Sequence, residues 1–207
     1  MTVSGRLTPM LRIYGTVTSP YVRRVRAVAL ELGLEHERID TASDEGLAQL
    51  RAVSPIWKVP AVELDGQAIY DSAVIDELLV RRFGPGPLAP WDPDDVELRN
   101  RLTVIDGALD ALINCFYLGK DGVGPDAASY LQKHQDRAAS ALAWLDARIF
   151  DGWVTPSGAF GLGEIALVSA LGWMCFRDTY PIERHPALLA AYERHATRPS
   201  LIATAPA

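Results

Sequence analysis

The segment Gly84–Asp95, GPGPLAPWDPDD, limits the possible folds more than any other part of the sequence, because it carries prolines at 85, 87, 90 and 93. Proline has no amide donor and disfavours helix in the residue before it, so neither a helix nor an inner strand runs through this stretch. The chain therefore divides here. Strand-like and helix-like segments alternate before it, and every periodic segment after it is helical. The 207 residues suffice for two modest domains, since domains cluster near about 100–150 residues. We expect a first domain over residues 1–84, a stiff linker over 85–95 and an all-helical domain over 96–207.

In the first part, Leu11 to Tyr14 reads as a short strand ending at Gly15. Ser19 and Pro20 open a helix, as a favoured N-cap and a favoured first helical residue. Val22, Val25, Ala29 and Leu32 fall on one stripe of that helix, which stops at Gly33 and leaves Arg23 and Arg24 on its solvated side with Arg26 at the flank. Glu35 to Ile39 is a second strand and Glu45 to Val53 a weaker helix. After Pro60, two short strands flank Asp65-Gly66, a dipeptide suited to a hairpin turn that needs positive φ twice. A helix from Ser72 to Phe83 follows and is expected to bury Val74, Ile75, Leu78 and Leu79. The order β, α, β, α, β, β, α suits a mixed four-stranded sheet, with a parallel pair from the crossover and an antiparallel pair from the hairpin.

In the second part, Leu98, Leu102, Ile105, Leu109, Leu112 and Phe116 alternate steps of 4 and 3 and mark one long amphipathic helix. Leu131, Ala138, Leu142, Leu145 and Ile149 mark another. A third, Leu162 to Phe176, is apolar nearly all round with Glu164 its only charge, so it belongs at the centre of a bundle, with Gly161 and Glu164 as N-cap and N3 residues. A fourth covers Ala187 to Ala196.

Composition narrows the function. A net charge of −6, with a basic excess in neither half, argues against nucleic acid, whose binding draws on Lys and Arg displacing counterions. Cys115 and Cys175 are too few for a disulfide framework and are expected to be buried small apolar residues. No His or Cys lies at metal-ligand spacing, so no metal is expected. The N-terminal stretch has no apolar run of signal-peptide length, and the longest apolar run falls short of a membrane span, which points to a cytoplasmic address without membrane contact.

Three stretches carry a family resemblance: LRIYGTVTSPYVRRVRAVALELGL, KVPAVELDGQAIYDSAVIDELL and HPALLAAYERHATRPS. In this order and spacing, and across nearly the whole chain, the sequence resembles the cytosolic glutathione transferase family, in its serine-type, bacterial-like form. The resemblance implies a thioredoxin-like first domain that binds glutathione as co-substrate and a helical domain that supplies most of the pocket for an apolar electrophile. It further implies a detoxifying transferase and a homodimer.

Glutathione is an anionic tripeptide whose thiol must lose its proton to act as a nucleophile, and a helix N-terminus favours the resulting negative charge. Ser19, read alone, is a helix cap. The resemblance makes its hydroxyl the thiolate stabiliser, with Thr18 and Thr16 as nearby alternatives and Tyr14, inside the strand, better suited to packing. Lys58, Val59 and Pro60 read alone as an ordinary strand entry. The resemblance implies a cis bond before Pro60 that exposes the Val59 backbone to the cysteinyl part of glutathione as if to an added strand. Trp57 stands where the family often has Gly, and either reshapes the pocket wall or packs. Asp71 and Ser72 begin a helix suited to the γ-glutamyl carboxylate, with Asp71 facing the ammonium or holding the loop, although the family more often has Glu or Gln before this Ser. Asn114, Phe116 and Tyr117 line the second-substrate pocket by family position, with core packing the competing reading.

No cysteine lies near Ser19, which disfavours dithiol and cysteine-type chemistry and leaves a thiolate-directed addition or substitution. Two other classes stay open: a non-catalytic binding or regulatory protein that keeps the fold, and a glutathione-dependent isomerase or dehalogenase. The SSCSWRVR-like pattern of the maleylacetoacetate isomerases is absent.

Overall fold

The computed structural model describes residues 11–124 and 127–207. Strand β1 (Leu11–Tyr14) lies inside a four-stranded sheet of order β2-β1-β3-β4. It runs parallel to β2 (His36–Ile39) and antiparallel to β3 (Ala61–Leu64), and β3 turns back into β4 (Gln67–Ile69). Asp65 and Gly66 at that turn have φ of 51° and 80°, the two positive values such a hairpin requires.

The period of β1 sends Leu11 and Ile13 to one face and Arg12 and Tyr14 to the other. On the first face α1 (Pro20–Glu31) and α3 (Ser72–Phe83) cover the sheet, packing Val22, Val25, Ile75 and Leu79 against Leu11, Ile13, Val62 and Leu64. On the second, Leu50 of α2 (Asp44–Val53) packs on Tyr14, Ile39 and Ala61. Gly15 permits the close approach of α1 to the end of β1, because a Cβ there would lie 2.2 Å from Val22 Cγ2.

The helical part includes α4 (Val96–Lys120), α5 (Ser129–Asp146), α6 (Leu162–Arg177), a 3-10 turn at Ile182–Arg184, α7 (Pro186–Ala196) and α8 (Pro199–Ala203). Every residue of α6 from Leu162 to Met174 is buried, as its all-round apolar character requires. Its one internal charge is spent on backbone: Glu164 Oε1 accepts from the Val154 amide at 2.9 Å, and Oε2 from the Gly161 amide at 2.8 Å. Gly161 has no side chain to return the bond, so only half of a capping box is made. Among the described residues, α4 is the helix long and apolar enough to cross a membrane by length and composition. Here it packs Ile105, Leu109 and Leu112 into the helical core. Within the proline segment, Leu88 inserts into the core beside the sheet, and the Ala89 amide donates to the Phe160 carbonyl at 2.7 Å.

Several expectations are corrected. Arg23 and Arg24 are not a solvated face; each is only 4% exposed. Helix α1 is enclosed by the sheet, α3, α6 and α8, so side chains beside its apolar stripe are covered as well. Arg23 donates to the backbone carbonyls of Val168 at 3.2 Å and Leu201 at 3.0 Å. Gly172, one turn beyond Val168, makes room, since a Cβ there would lie 2.3 Å from Arg23 Nη1. Arg24 meets Asp76 of α3 at 2.6 Å and Asp106 of α4 at 2.8 Å. Val74 is exposed rather than buried, because it points away from α1, and Leu78 is only partly covered. Cys115 is half-buried, its Sγ 3.8 Å from the Leu131 carbonyl of α5, and Cys175 is exposed near the C-terminal end of α6.

Two stability predictions follow from these contacts. Burial pushes the Asp76 carboxyl up from its usual 3.8 to about 7, against the pull of the Arg24 guanidinium. A carboxyl whose pKa is higher in the folded than in the unfolded state holds its proton more tightly when folded. Its stabilising contribution is complete below the unfolded value and is lost as pH rises through the folded one. The thermal midpoint of the wild type, measured relative to Asp76→Asn, should therefore fall as pH rises from about 4 to about 7; a flat difference across this window contradicts the assignment. Replacing Glu164 with Ala leaves two buried amides without acceptors, and urea denaturation should show a loss of about 2–4 kcal/mol.

Candidate functional site

The strand register gathers three chain segments at one edge of the sheet. Tyr14 pairs with Ala61, and Val62 pairs with Ile69. The loop that follows Tyr14, the segment 58–60 that precedes Ala61 and the segment 70–72 that follows Ile69 therefore lie side by side. The first loop is tied down by Arg38, whose Nη1 donates to the Gly15 carbonyl at 2.9 Å, and by the Gly15 amide, which donates to the Ile39 carbonyl at 3.0 Å.

Ser19 ends this loop as the N-cap of α1, and its Oγ accepts from the Val22 amide at 3.3 Å. A serine hydroxyl has one proton and two lone pairs, so a hydroxyl that accepts from the helix still has its proton to donate. The first turn of α1 holds no acidic side chain to neutralise the free amides. The edge is thus suited to an anion. Of the alternatives, the Thr16 and Thr18 hydroxyls lie 3.3 Å apart, so one donates to the other and a single proton of the pair is left over. Tyr14 sits on the opposite face of β1 and donates to Glu63; burial, and then that bond, push its phenol up to about 12.

The Val59–Pro60 bond is cis. Among the described residues, no hydrogen bond engages the Val59 amide or carbonyl, so both are free for a ligand. Lys58 is exposed, Val59 half-buried and Pro60 buried. Trp57 neither packs in the core nor closes over the cis bond. It is 59% exposed, with the Arg51 guanidinium 4.9 Å from its ring centroid. Its φ is 53°, a left-handed value that costs a side-chain-bearing residue on the order of 1 kcal/mol and that glycine adopts freely.

Asp71 and Ser72 follow a second cis bond, Tyr70–Asp71. Asp71 is the N-cap of α3 and accepts from the Ala73 amide at 3.1 Å, so its carboxylate holds the turn. Ser72 is 5% exposed, and its Oγ accepts from Arg24 Nη2 at 2.9 Å. As at Ser19, the acceptor role is filled from within the protein and the hydroxyl proton remains to be donated.

The three residues singled out on α4 part company. Asn114 and Tyr117, both exposed, follow Asp110 at i+4 and i+7 and share its face. Asp110 receives the hydroxyl of Tyr21 from the first turn of α1, so this face of α4 runs on from the Ser19 turn. Phe116 points elsewhere: its ring meets Trp173 edge-on at 5.6 Å and lines a separate groove with Leu112, Cys115, Lys120 and Arg177. Sequence reasoning missed Tyr21, Arg24, Asp76 and Asp106. The available signal was the pair Asp106 and Asp110, one helical turn apart and the only charges between Arg101 and Lys120. Among the described residues, no group of three or more His, Cys, Asp or Glu side chains is placed to hold a metal ion.

Comparison with known proteins agrees with this geometry. Residues 13–87 match the model of the glutathione S-transferase N-terminal domain. Over 204 residues the chain is 26% identical to the uncharacterized GST-like protein YibF of Escherichia coli, covering 95% of this chain and 98% of that one. It is 31% identical over 85 residues to a probable maleylacetoacetate isomerase of Caenorhabditis elegans, covering 41% of this chain and 40% of that protein. Its fold is similar, at a TM-score of 0.81 and 27% identity over 95% of both chains, to a glutathione S-transferase of Methylobacterium radiotolerans solved in complex with glutathione sulfonate. Residues 13–87 thus belong to the glutathione S-transferase N-terminal domain family, and the chain, with a mixed four-stranded sheet followed by helices over the same full length, has the glutathione transferase-like fold.

Proposed function

We propose that this protein is a glutathione S-transferase that activates the thiol of glutathione for attack on an apolar electrophile. One observation carries the reading: two serine hydroxyls with protons to spare, each at a helix N-terminus, flank the free backbone of Val59 along one sheet edge. In this reading residues 1–84 hold glutathione, residues 85–95 link, and residues 96–207 hold the second substrate. The cysteinyl part pairs with the Val59 amide and carbonyl between Lys58 and Pro60. The γ-glutamyl carboxylate accepts from Ser72 beside the α3 N-terminus that Asp71 caps.

The sulfur then lies at Ser19, the catalytic residue. Its hydroxyl and the amides of the first turn of α1 stabilise the thiolate, so the thiol gives its proton to solvent at a lower pH than free glutathione does. The thiolate electron pair forms the new S–C bond, and the electrophile's leaving group departs with its own electron pair, or an acceptor carbon takes a proton. Proximity and fixed donors supply the rate, without a metal or a protein cysteine. The face of α4 that bears Asn114 and Tyr117 borders the second substrate, while Phe116 packs behind it. A cytoplasmic homodimer fits the exposed apolar side chains Val74 of α3 and Val96 of α4. The non-catalytic alternative draws on the departures within the site at Trp57 and Asp71.

A second reading, a glutathione-dependent isomerase, draws on the isomerase relative. It shares the same thiolate site and differs only in returning the carbon skeleton with glutathione released.

Replacing Ser19 with Ala removes a hydrogen bond to a charged sulfur, worth about 1.5–3 kcal/mol, and should lower turnover about 10–100-fold. The Michaelis constant for glutathione should change little. The bound thiol, followed by its ultraviolet thiolate absorbance, should titrate at higher pH in the variant. Unchanged turnover with a general electrophile would rule out Ser19 as the activating group. Calorimetric titration separates the remaining class, since an absence of glutathione binding at millimolar concentration indicates a non-catalytic protein.

A further inference from the structure

Arg23 and Arg24 are equally buried and differ in one respect. Arg24 is met by the carboxylates of Asp76 and Asp106. Arg23, 4% exposed, is met by no carboxylate among the described residues: its Nη1 and Nη2 donate to the carbonyls of Val168 and Leu201, and its Nε is buried without an acceptor. Burial pulls the Arg23 guanidinium below its ordinary value, and the Tyr192 phenol is the titratable neighbour that opposes this. An arginine in a protein keeps its proton even so. Carbonyl oxygens satisfy its donors but bring no net charge. The junction of α1, α6 and α8 therefore holds a permanent positive charge without a counterion. Burying it is costly, and an apolar side chain would fill the same space without that cost.

This charge lies close behind the turn assigned above to the sulfur. The Arg23 amide donates to the Ser19 carbonyl at 3.0 Å, so the two residues are one helical turn apart. One turn is about 5.4 Å of rise and the side chain carries the charge sideways, which puts the guanidinium on the order of 10 Å from a sulfur at Ser19. At an effective dielectric of about 20, a unit charge at that separation moves a thiol pKa by about 1. In water the same charge would do about a quarter of this, and salt would screen it. Other charges near the turn count for less. Arg24 is offset by its two carboxylates and Arg38 by Asp40. On the elements packed against Arg23, Glu164 of α6 is held by two backbone amides, and Arg198 at the start of α8 is paired with Glu31. Asp110, which receives the Tyr21 hydroxyl, is exposed and so screened by water. Arg26, almost a turn further along α1, is only half-buried.

We propose that Arg23 is a remote electrostatic residue of the reaction: its buried, unpaired charge stabilises the thiolate of glutathione bound at Ser19, in addition to the Ser19 hydroxyl and the α1 amides. The inference rests on the reading that places the sulfur at Ser19. Arg23 touches no part of the ligand and acts through space. The thiolate is the counterion that the fold withholds, so part of the cost of burying the guanidinium is recovered when glutathione binds. The helical part thereby contributes to chemistry on the sheet, because α6 and α8 keep water from this charge.

The test follows the thiolate absorbance of glutathione bound to the full chain as pH is varied, together with kcat/KM for chlorodinitrobenzene over the same range. Arg23→Met removes the charge and keeps an unbranched side chain, and the bound thiol should titrate at a pH about 1 higher. Arg23→Lys keeps a charge in the same space but cannot span both carbonyls; its thiol should titrate within about 0.3 of the wild type, although both variants lower the thermal midpoint. The rise in Arg23→Met should survive high salt and should recur in a Ser19→Ala background, since the charge does not act through the hydroxyl. Arg23→Gln serves as the neutral variant if Arg23→Met does not fold. A merely structural role would move the thiol equally in Arg23→Lys and in the neutral variants, or lower the thermal midpoint of both without moving the thiol, and either result overturns the proposal. So does a rise that salt abolishes, or one that disappears with Ser19→Ala, because Arg23 would then act by placing the Ser19 turn. If Ser19→Ala raises the thiol pKa and the neutral Arg23 variants do not, the Ser19 site stands and the electrostatic role falls. If glutathione bound to the wild type titrates as it does free in water, the sulfur is elsewhere and both readings fall.

Discussion

Helix α1 is packed on most of its sides, and the two arginines that this packing buries determine how the rest of the molecule fits together. Apolar residues spaced along one stripe account for its contact with the sheet, as in any amphipathic helix. The remaining sides are covered by α3, α6 and α8, and charged side chains there are stable only when their donors find partners. Arg23 finds two backbone carbonyls, one of them reached past the missing Cβ of Gly172. Arg24 finds two carboxylates and a hydroxyl. Burying ions is expensive, and a well-packed apolar set is often as stable. What the ionic arrangement adds is direction, because a guanidinium with three partners admits one geometry.

The candidate site follows from strand register rather than from any cavity. Pairing Tyr14 with Ala61 and Val62 with Ile69 brings three loops to one edge, and two of those loops open helices with serine. Each helix supplies free amides at its start, and each serine accepts a bond from within the protein. An edge built in this way offers donors and few acceptors, which is what a thiolate and a carboxylate need. Asp71 is the exception, and its carboxylate is used on the Ala73 amide of its own helix.

Much of this was legible in the sequence. Ser19-Pro20 announced the start of α1, Asp65-Gly66 the hairpin, and Glu164 the cap of α6, because caps and turns depend on bonds between residues a few positions apart. The departure at Trp57 also acquires a physical meaning: a left-handed backbone there favours glycine, and the indole sits outside under Arg51. Less visible was which face of α4 meets the start of α1. Asn114 and Tyr117 lie on it and Phe116 does not, a distinction made only by the bond from Tyr21 to Asp110.

By itself the sequence determined that no helix or strand runs through the proline segment, the type and order of the elements, and the serines that open two of the helices, since each of these follows from local backbone chemistry and side-chain period. Only the tertiary structure decided that Arg23 and Arg24 are buried, that Val74 is exposed, and that Ser72 is backed by a guanidinium held from α4. Period states which side chains share a face of a helix. How many neighbours enclose that helix depends on segments more than a hundred residues away, such as Val168 and Leu201 against Arg23.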